Sequence, residues 1–296
     1  MDTTLYTTPR DLIRHAVTRF NKAKLFFGHG SAEAYDEAAY LTLHTLALPL
    51  DRLEPFMDAR LQPEEVAEVL AVIERRANDR VPAAYITNEA WLGTYNFYVD
   101  ERTIVPRSYI AELIPNYFAP WVNDAENVSN ILELCTGSGC LAIMMADAFP
   151  DAEVDAVDIS GDALEVARKN VDKYELADRV NLIQSDLYAN VPAGKKYDLI
   201  ITNPPYVNSS SMAKLPQEYL HEPQIALDGG ADGMDLVRKI VAGAAERLTD
   251  DGLLIVEIGN EKEFAEAAFG HLGLTWLTTS QGDDMVFLLT ADQLKI

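Results

Sequence analysis

Cysteine is nearly absent from this chain of 296 residues: Cys135 and Cys140 are the only two. Two thiols five apart, with no histidine cluster beside them, make neither a disulfide framework nor a zinc site, so no metal is expected. No apolar run approaches the ~20 residues of a membrane helix. Residues 1–19 lack the apolar stretch of a secretory signal. The expectation is therefore a cytoplasmic protein that engages no membrane. Basic residues are scarce as well. Lys and Arg number 24 against 47 Asp and Glu, a formal net charge of −23. Such an acidic surface repels phosphate backbones, so stable nucleic-acid binding is not expected and a basic protein is the favoured partner. There are no internal repeats and no low-complexity stretches. What remains is ordinary globular material, 48% hydrophobic and 24% charged, enough for one large domain and a smaller one.

Residues 9 to about 78 carry helical periodicity. Leu12, Ile13, Ala16, Val17 and Phe20 recur at helical spacing behind Pro9. Residues 34–48 repeat the pattern. Pro63-Glu64-Glu65 opens another helix, with Val66, Val69, Leu70 and Ile73 on one face. From 89 to 105 strand formers take over, broken by Gly93, which reads as a β-hairpin. Trp91 and Trp276 are expected to be core residues. From about 130 onward strands (131–134, 154–159, 180–183, 197–202, 253–258) alternate with helices (141–149, 162–174, 234–248, 261–269). Repeated βα units mean a parallel, doubly wound sheet. Strands 274–278 and 285–289 close the chain across a turn too short for a helical crossover, so they should be antiparallel. The expected organisation is a helical domain over 1–80, a hairpin linker over 81–110 and an α/β domain over 111–296.

Two strand ends carry candidate chemistry. The turn Glu133-Leu134-Cys135-Thr136-Gly137-Ser138-Gly139 leaves the first α/β strand and opens a helix. Glycines there let the backbone approach a ligand closely. In open α/β sheets ligands lie beyond the carboxyl ends of the strands. Asp158 closes the second strand about twenty residues later, the spacing of a carboxylate that grips ribose hydroxyls. Asp186 follows the third strand, placed to meet an adenine edge. These features fit a nicotinamide or a sulfonium nucleoside equally well. The fourth strand decides between them, because it runs into Asn203-Pro204-Pro205-Tyr206, an NPPY motif. An amide or exocyclic amino nitrogen is a poor nucleophile, its lone pair being delocalised. To attack a methyl sulfonium it needs both N–H groups held. The Asn203 side-chain oxygen can accept one and the Pro204 carbonyl the other. The prolines fix the backbone beforehand, and Tyr206 offers an aromatic face to a planar group.

At these motifs the chain resembles the HemK-type protein-(glutamine) N5-methyltransferase family, over nearly its whole length. Three segments bring it nearest to the branch that modifies the third large-subunit ribosomal protein. Cys135 stands where the release-factor branch usually has glycine. Val105-Pro106-Arg107-Ser108 resembles this branch's linker. His221-Glu222-Pro223, with 227–233, matches a segment that borders the family's active site. Tyr109 departs from the pattern, which has proline there.

The resemblance implies a Rossmann-like, seven-stranded class I methyltransferase sheet, mostly parallel with an antiparallel C-terminal hairpin, plus a small N-terminal helical domain for substrate recognition. It implies S-adenosylmethionine as cofactor and S-adenosylhomocysteine as product. The implied cofactor contacts are Glu133, Cys135, Thr136, Gly137, Ser138, Gly139, Asp158, Ile159, Asp186, Leu187 and Asn203. A glutamine amide would be held by Asn203, Pro204, Pro205 and Tyr206, with Asn203, Pro204 and Tyr206 catalytic. Arg107 has two readings, a partner for a substrate or cofactor carboxylate or a cap on the hairpin. Glu222 likewise reads as site wall or as a solvated turn. The implied substrate is a basic ribosomal protein, met before or early in subunit assembly. Alternatives are glutamine methylation of a peptide chain release factor, methylation of a DNA adenine, which needs an extruded base and a basic surface, and a binding protein that has kept the fold.

Overall fold

The computed structural model describes residues 5–122 and 124–295. It divides into two compact units, one holding residues through Ala90 together with Pro216–His221, the other Trp91–Leu215 and the chain from Glu222 onward.

The first unit is helical: α1 (Pro9–Ala23), α2 (Ala34–Thr45), α3 (Pro63–Asn78) and the single turn α4 (Ala83–Thr87). The start of α1 is a capping box. Thr8 accepts the Asp11 N–H, Asp11 accepts the Thr8 N–H, and Pro9 occupies the first turn. Leu12, Ala16 and Phe20 on α1, Leu41 on α2 and Val69 and Ile73 on α3 form the core, all wholly buried. An ionic cluster lies within it. Arg76, 1% exposed, pairs with Glu37 at 2.6 Å, and Glu218 accepts from Arg80 at 2.8 Å and from the Phe26 N–H at 3.1 Å. Glu218 belongs to Pro216–His221, so this short excursion is fastened into the helical unit by charge-assisted bonds.

The chain passes from the first unit to the second within the ribbon of β1 (Glu89–Leu92) and β2 (Tyr95–Tyr98), and the short helix α5 (Ile110–Leu113) follows. Then come β3 (Asn130–Leu134), α6 (Cys140–Ala148), β4 (Glu153–Asp158), α7 (Gly161–Lys173), β5 (Val180–Gln184), β6 (Tyr197–Thr202), α8 (Ser209–Met212), α9 (Asp235–Ala244), β7 (Leu248–Glu257), α10 (Lys262–Phe269), β8 (Thr275–Thr279) and β9 (Gly282–Thr290). The seven strands from β3 onward form one sheet in the order β5-β4-β3-β6-β7-β9-β8. Pairings are parallel from β5 to β7, and β9 is antiparallel to both β7 and β8. This is the fold class read from the sequence. The order reverses at β3, whose neighbours are β4 on one side and β6 on the other, so the crevice at the carboxyl ends opens there. No helix among the described residues is long and apolar enough to cross a membrane.

Three details differ from the sequence reading. The strand β7 begins at Leu248, five residues before the expected start, because Asp250-Asp251-Gly252 continues the strand instead of turning. The helix α9 correspondingly stops at Ala244. Trp91 is 51% exposed, not a core residue. On a two-stranded ribbon neighbouring side chains alternate, and it is Ala90 that faces inward.

Candidate active site

The turn after β3 reaches its shape through the left-handed region of backbone space. Cys135 has φ 61°, Gly137 56° and Gly139 79°. A non-glycine residue costs about 1 kcal/mol there, so Cys135 is held by its surroundings. Its turn is tied on both sides. Thr136 N donates to Val157 O at 2.9 Å and Thr136 Oγ1 donates to Glu133 at 2.5 Å. Gly139 ends the turn as the cap of α6, and a Cβ there would stand 3.2 Å from Ala167 Cβ of α7, so glycine is what lets the two helices close up. Asn170 on α7, wholly buried, donates to Ser138 O at 2.8 Å and locks the turn from below.

Asp158 closes β4. Its two oxygens accept the Gly137 N–H at 2.8 Å and the Ser160 N–H at 2.9 Å. Burial raises its proton affinity and these backbone donors oppose the rise. Each oxygen keeps a second lone pair for a hydroxyl. Burial pushes Glu133 up to about 8 and the Cys140 thiol up to about 12, and raises Cys135 further. Neither cysteine is a thiolate nucleophile.

A cavity of about 410 Å³ opens over this turn, within the ~300–1,000 Å³ of small-molecule sites. Cys135, Gly137, Asp158, Ile159, Asp186, Leu187, Asn203 and Pro205 line it. Glu133, Thr136, Ser138 and Gly139, also expected at the cofactor, are not among its lining residues, and the first three are buried. Asp186 lies two residues past the end of β5.

The NPPY segment continues β6 directly. Thr202 Oγ1 donates to Leu134 O at 2.8 Å, which pins the end of β6 to the end of β3 and sets Asn203 beside the turn. Asn203 Nδ2 donates to Arg107 O at 3.2 Å. Asn203 Oδ1 and the Pro204 carbonyl accept no hydrogen bond among the described residues. Val207 bridges to Asp228, through Val207 N to Leu227 O and Gly229 N to Val207 O, both 2.9 Å. Three glycines close around Tyr206. A Cβ on Gly229 would fall 2.7 Å from Tyr206 Cα, one on Gly233 2.2 Å from Tyr206 O, and one on Gly259 2.5 Å from the Tyr206 ring. The tyrosine is therefore held at backbone and ring by chain that only glycine allows so close. The Arg107 guanidinium pairs with the Glu222 carboxylate at 2.5 and 2.6 Å and is not part of the cavity lining.

The model for the "Methyltransferase small domain" matches residues 121–232. The chain is 62% identical over 297 residues to the ribosomal protein uL3 glutamine methyltransferase of Burkholderia pseudomallei (strain K96243), covering 98% of this chain and 97% of that protein. It is 57% identical to the protein of the same name from Neisseria meningitidis serogroup B (strain ATCC BAA-335 / MC58), covering 97% and 94%. The chain belongs to the ribosomal protein uL3 glutamine methyltransferase family. Among solved structures, the hMettl16 catalytic domain in complex with MAT2A 3'UTR hairpin 6 shares the fold, with a TM-score of 0.50 over 76% of this chain and 80% of that one, at 15% identity.

For a member of this methyltransferase family the cavity has walls that motif reading missed. Arg102, Thr103 and Ile104 come from the hairpin exit, Ile225 from the residues just past Pro223, and Asp235 and Lys239 from α9; Pro223, in the segment read as bordering the active site, lines the cavity as well. Arg102 is fixed by Asp100 at 2.7 Å and Glu165 at 2.8 Å. Burial works against ionisation of Asp100, yet its bonds from Arg102 and Tyr98 hold it down at about 2. The Asp100/Arg102 spacing was the one available signal, and it resembles any turn.

Proposed function

We propose that this chain transfers the methyl group of S-adenosylmethionine to the side-chain amide nitrogen of a glutamine in ribosomal protein uL3. One observation carries the reading. Two oxygens with no partner among the described residues, Asn203 Oδ1 and the Pro204 carbonyl, belong to a segment whose Asn203 and Pro205 line the same cavity as Asp158 and Asp186. The names of the relatives supply the substrate.

The cavity suits the cofactor by volume and by donor set. Asp158 would take the ribose hydroxyls, Asp186 the adenine amino edge, Ile159 and Leu187 the ring faces, and the Gly137 turn the close approach of the chain. When bound, S-adenosylmethionine supplies a methyl group activated on a sulfonium. The protein's own part is positioning. Asn203 Oδ1 accepts one amide N–H of the glutamine and Pro204 O the other, so the nitrogen is fixed with its lone pair free to aim. Pro204 and Pro205 hold that carbonyl before the substrate arrives. Tyr206 covers the amide plane. As charge develops on nitrogen, the same two oxygens stabilise it. Well-aligned geometry of this kind contributes ~7–11 kcal/mol. Once the C–N bond has formed and the thioether has left, the N-methylated amide is strongly acidic and gives up one of its two protons to solvent, so no strong general base is required.

With its net charge of −23, the chain is proposed to meet uL3 free, before or early in subunit assembly. The test supplies labelled S-adenosylmethionine with free uL3, a release factor and duplex DNA, and locates added methyl by mass spectrometry. A methyl on a uL3 glutamine is expected. Transfer to release factor or DNA in its place would overturn the reading. Asn203→Ala should slow single-turnover transfer roughly 100- to 1,000-fold while cofactor affinity stays within about twofold. Loss of cofactor binding instead would remove the role given to Asn203.

A further inference from the structure

A side-chain amide looks almost the same after a half-turn about its last torsion, which exchanges oxygen and NH₂. Shape cannot tell Asn203 which way to face, so a neighbouring hydrogen-bond partner must. That partner is the Arg107 carbonyl, which takes Nδ2 and leaves Oδ1 for the substrate. Arg107 itself lies between β2 and α5, in chain with no regular structure and no ladder to hold it. Two buried carboxylates from distant parts of the sequence fasten this stretch instead. Glu222, its side chain 0% exposed, accepts the Val105 N–H at 2.9 Å and both Arg107 Nη groups at 2.5 and 2.6 Å. Glu257, 1% exposed, accepts Ser108 Oγ at 2.5 Å and the Tyr109 N–H at 2.9 Å. The Arg107 carbonyl sits between the two anchors.

We propose that Glu222 is a positioning residue for methyl transfer: by clamping Val105 and Arg107 it fixes the carbonyl that sets the orientation of the Asn203 amide. The bidentate guanidinium–carboxylate pair suits this task, because two parallel bonds resist rotation as well as separation. When the clamp loosens, the Arg107 carbonyl drifts and Asn203 turns over. Its NH₂ then meets the NH₂ of the substrate, donor against donor. Cofactor binding does not depend on that orientation, since Asp158 and the Gly137 turn hold their own geometry.

The inference rests on the glutamine-amide reading, and the experiment separates the two. Transfer to free uL3 is measured by single turnover for wild type, Glu222→Gln, Asn203→Ala and the double variant. Glu222→Gln keeps the shape and removes the charge. It is expected to lower the transfer rate roughly 10- to 100-fold, with cofactor affinity and substrate KM within about twofold. In the Asn203→Ala background it should cost nothing further, because no amide is left to orient. Arg107→Lys keeps the charge and the carbonyl but loses the two-point geometry, and should fall between wild type and Glu222→Gln. If thermal melting shows Glu222→Gln unfolded, Arg107→Lys is judged by the same readouts. A variant rate equal to wild type, an equal loss with and without Asn203, or a loss confined to KM or cofactor affinity would overturn the proposal. If the wild-type protein itself leaves uL3 unmethylated, the function falls first, and that outcome is distinct.

Discussion

At the scale of single residues, the buried carboxyls make the stability of the fold depend on pH. Burial pushes Glu257 up to about 7, against bonds from Ser108, Ile110 and Tyr109 that favour its charged form; an ordinary glutamate sits at 4.5. The folded value lies above the unfolded one, so the native state holds its proton more tightly. The stability this contributes is fully present below pH 4.5 and is lost as pH rises through about 7. Glu133, pushed up to about 8, acts with the same sign over a slightly higher window. Urea unfolding should therefore give a lower free energy at about pH 9 than at about pH 6, and Glu257→Gln should flatten that slope by ~1–2 kcal/mol. A variant whose profile runs parallel to wild type would show that Glu257 does not titrate in this range. Tyr109 bears on the same carboxyl. Its N–H donates to Glu257, a bond that the proline of the family pattern could not make.

At the scale of elements, what could be read from the sequence follows from burial. The strands β6 and β7 are buried on both faces over Leu199–Ile201 and Leu253–Val256, so they appear as short runs of Leu, Ile and Val. The helix α7 shows one apolar stripe, Leu164, Ala167 and Val171. Asp158 and Asn203 were legible because strand ends converge at the switch point. The four-residue α5 and α8 were not, since little more than one turn carries no period. Glu222 and Glu257 were invisible as anchors, because their partners lie 115 and 148 positions away and no local pattern reports a distance of that kind. The excursion that brings Glu218 into the helical unit was hidden for the same reason. Gly229 and Gly233 fall in the family segment read from the sequence and Gly259 does not, and the cause of all three is steric and appears only in three dimensions. Gly233 is the clearest case, with φ +81° and a Cβ position 2.2 Å from the Tyr206 carbonyl. Backbone cannot yield cheaply to that contact. Gly233→Ala should lose about 2–4 kcal/mol of stability, from strain and overpacking together. It should also slow methyl transfer by more than it weakens cofactor binding, since the displaced group is Tyr206. Chemical denaturation and single-turnover rates check the two halves. An alanine variant with wild-type stability would mean that the Tyr206 loop is free to move.

At the scale of the whole molecule the deciding quantity is charge. A chain with 47 acidic and 24 basic residues projects a negative field well beyond any one contact, and a free basic protein is drawn along it. Such steering acts on encounter, not on the methyl-transfer step, and salt screens it: the Debye length shrinks from about 10 Å at 0.1 M to about 3 Å at 1 M. Raising ionic strength should therefore raise KM for free uL3 severalfold while kcat and cofactor affinity change little. A substrate already wrapped in ribosomal RNA presents phosphate, and the same field then repels it. Free uL3 should be methylated much faster than uL3 in finished subunits, with the gap widest at low salt. Equal rates on the two substrates at about 50 mM salt would show that the acidic surface does not select the assembly stage. A gap that persists unchanged at high salt would assign the discrimination to shape, because screening removes a Coulomb barrier and leaves a steric one standing.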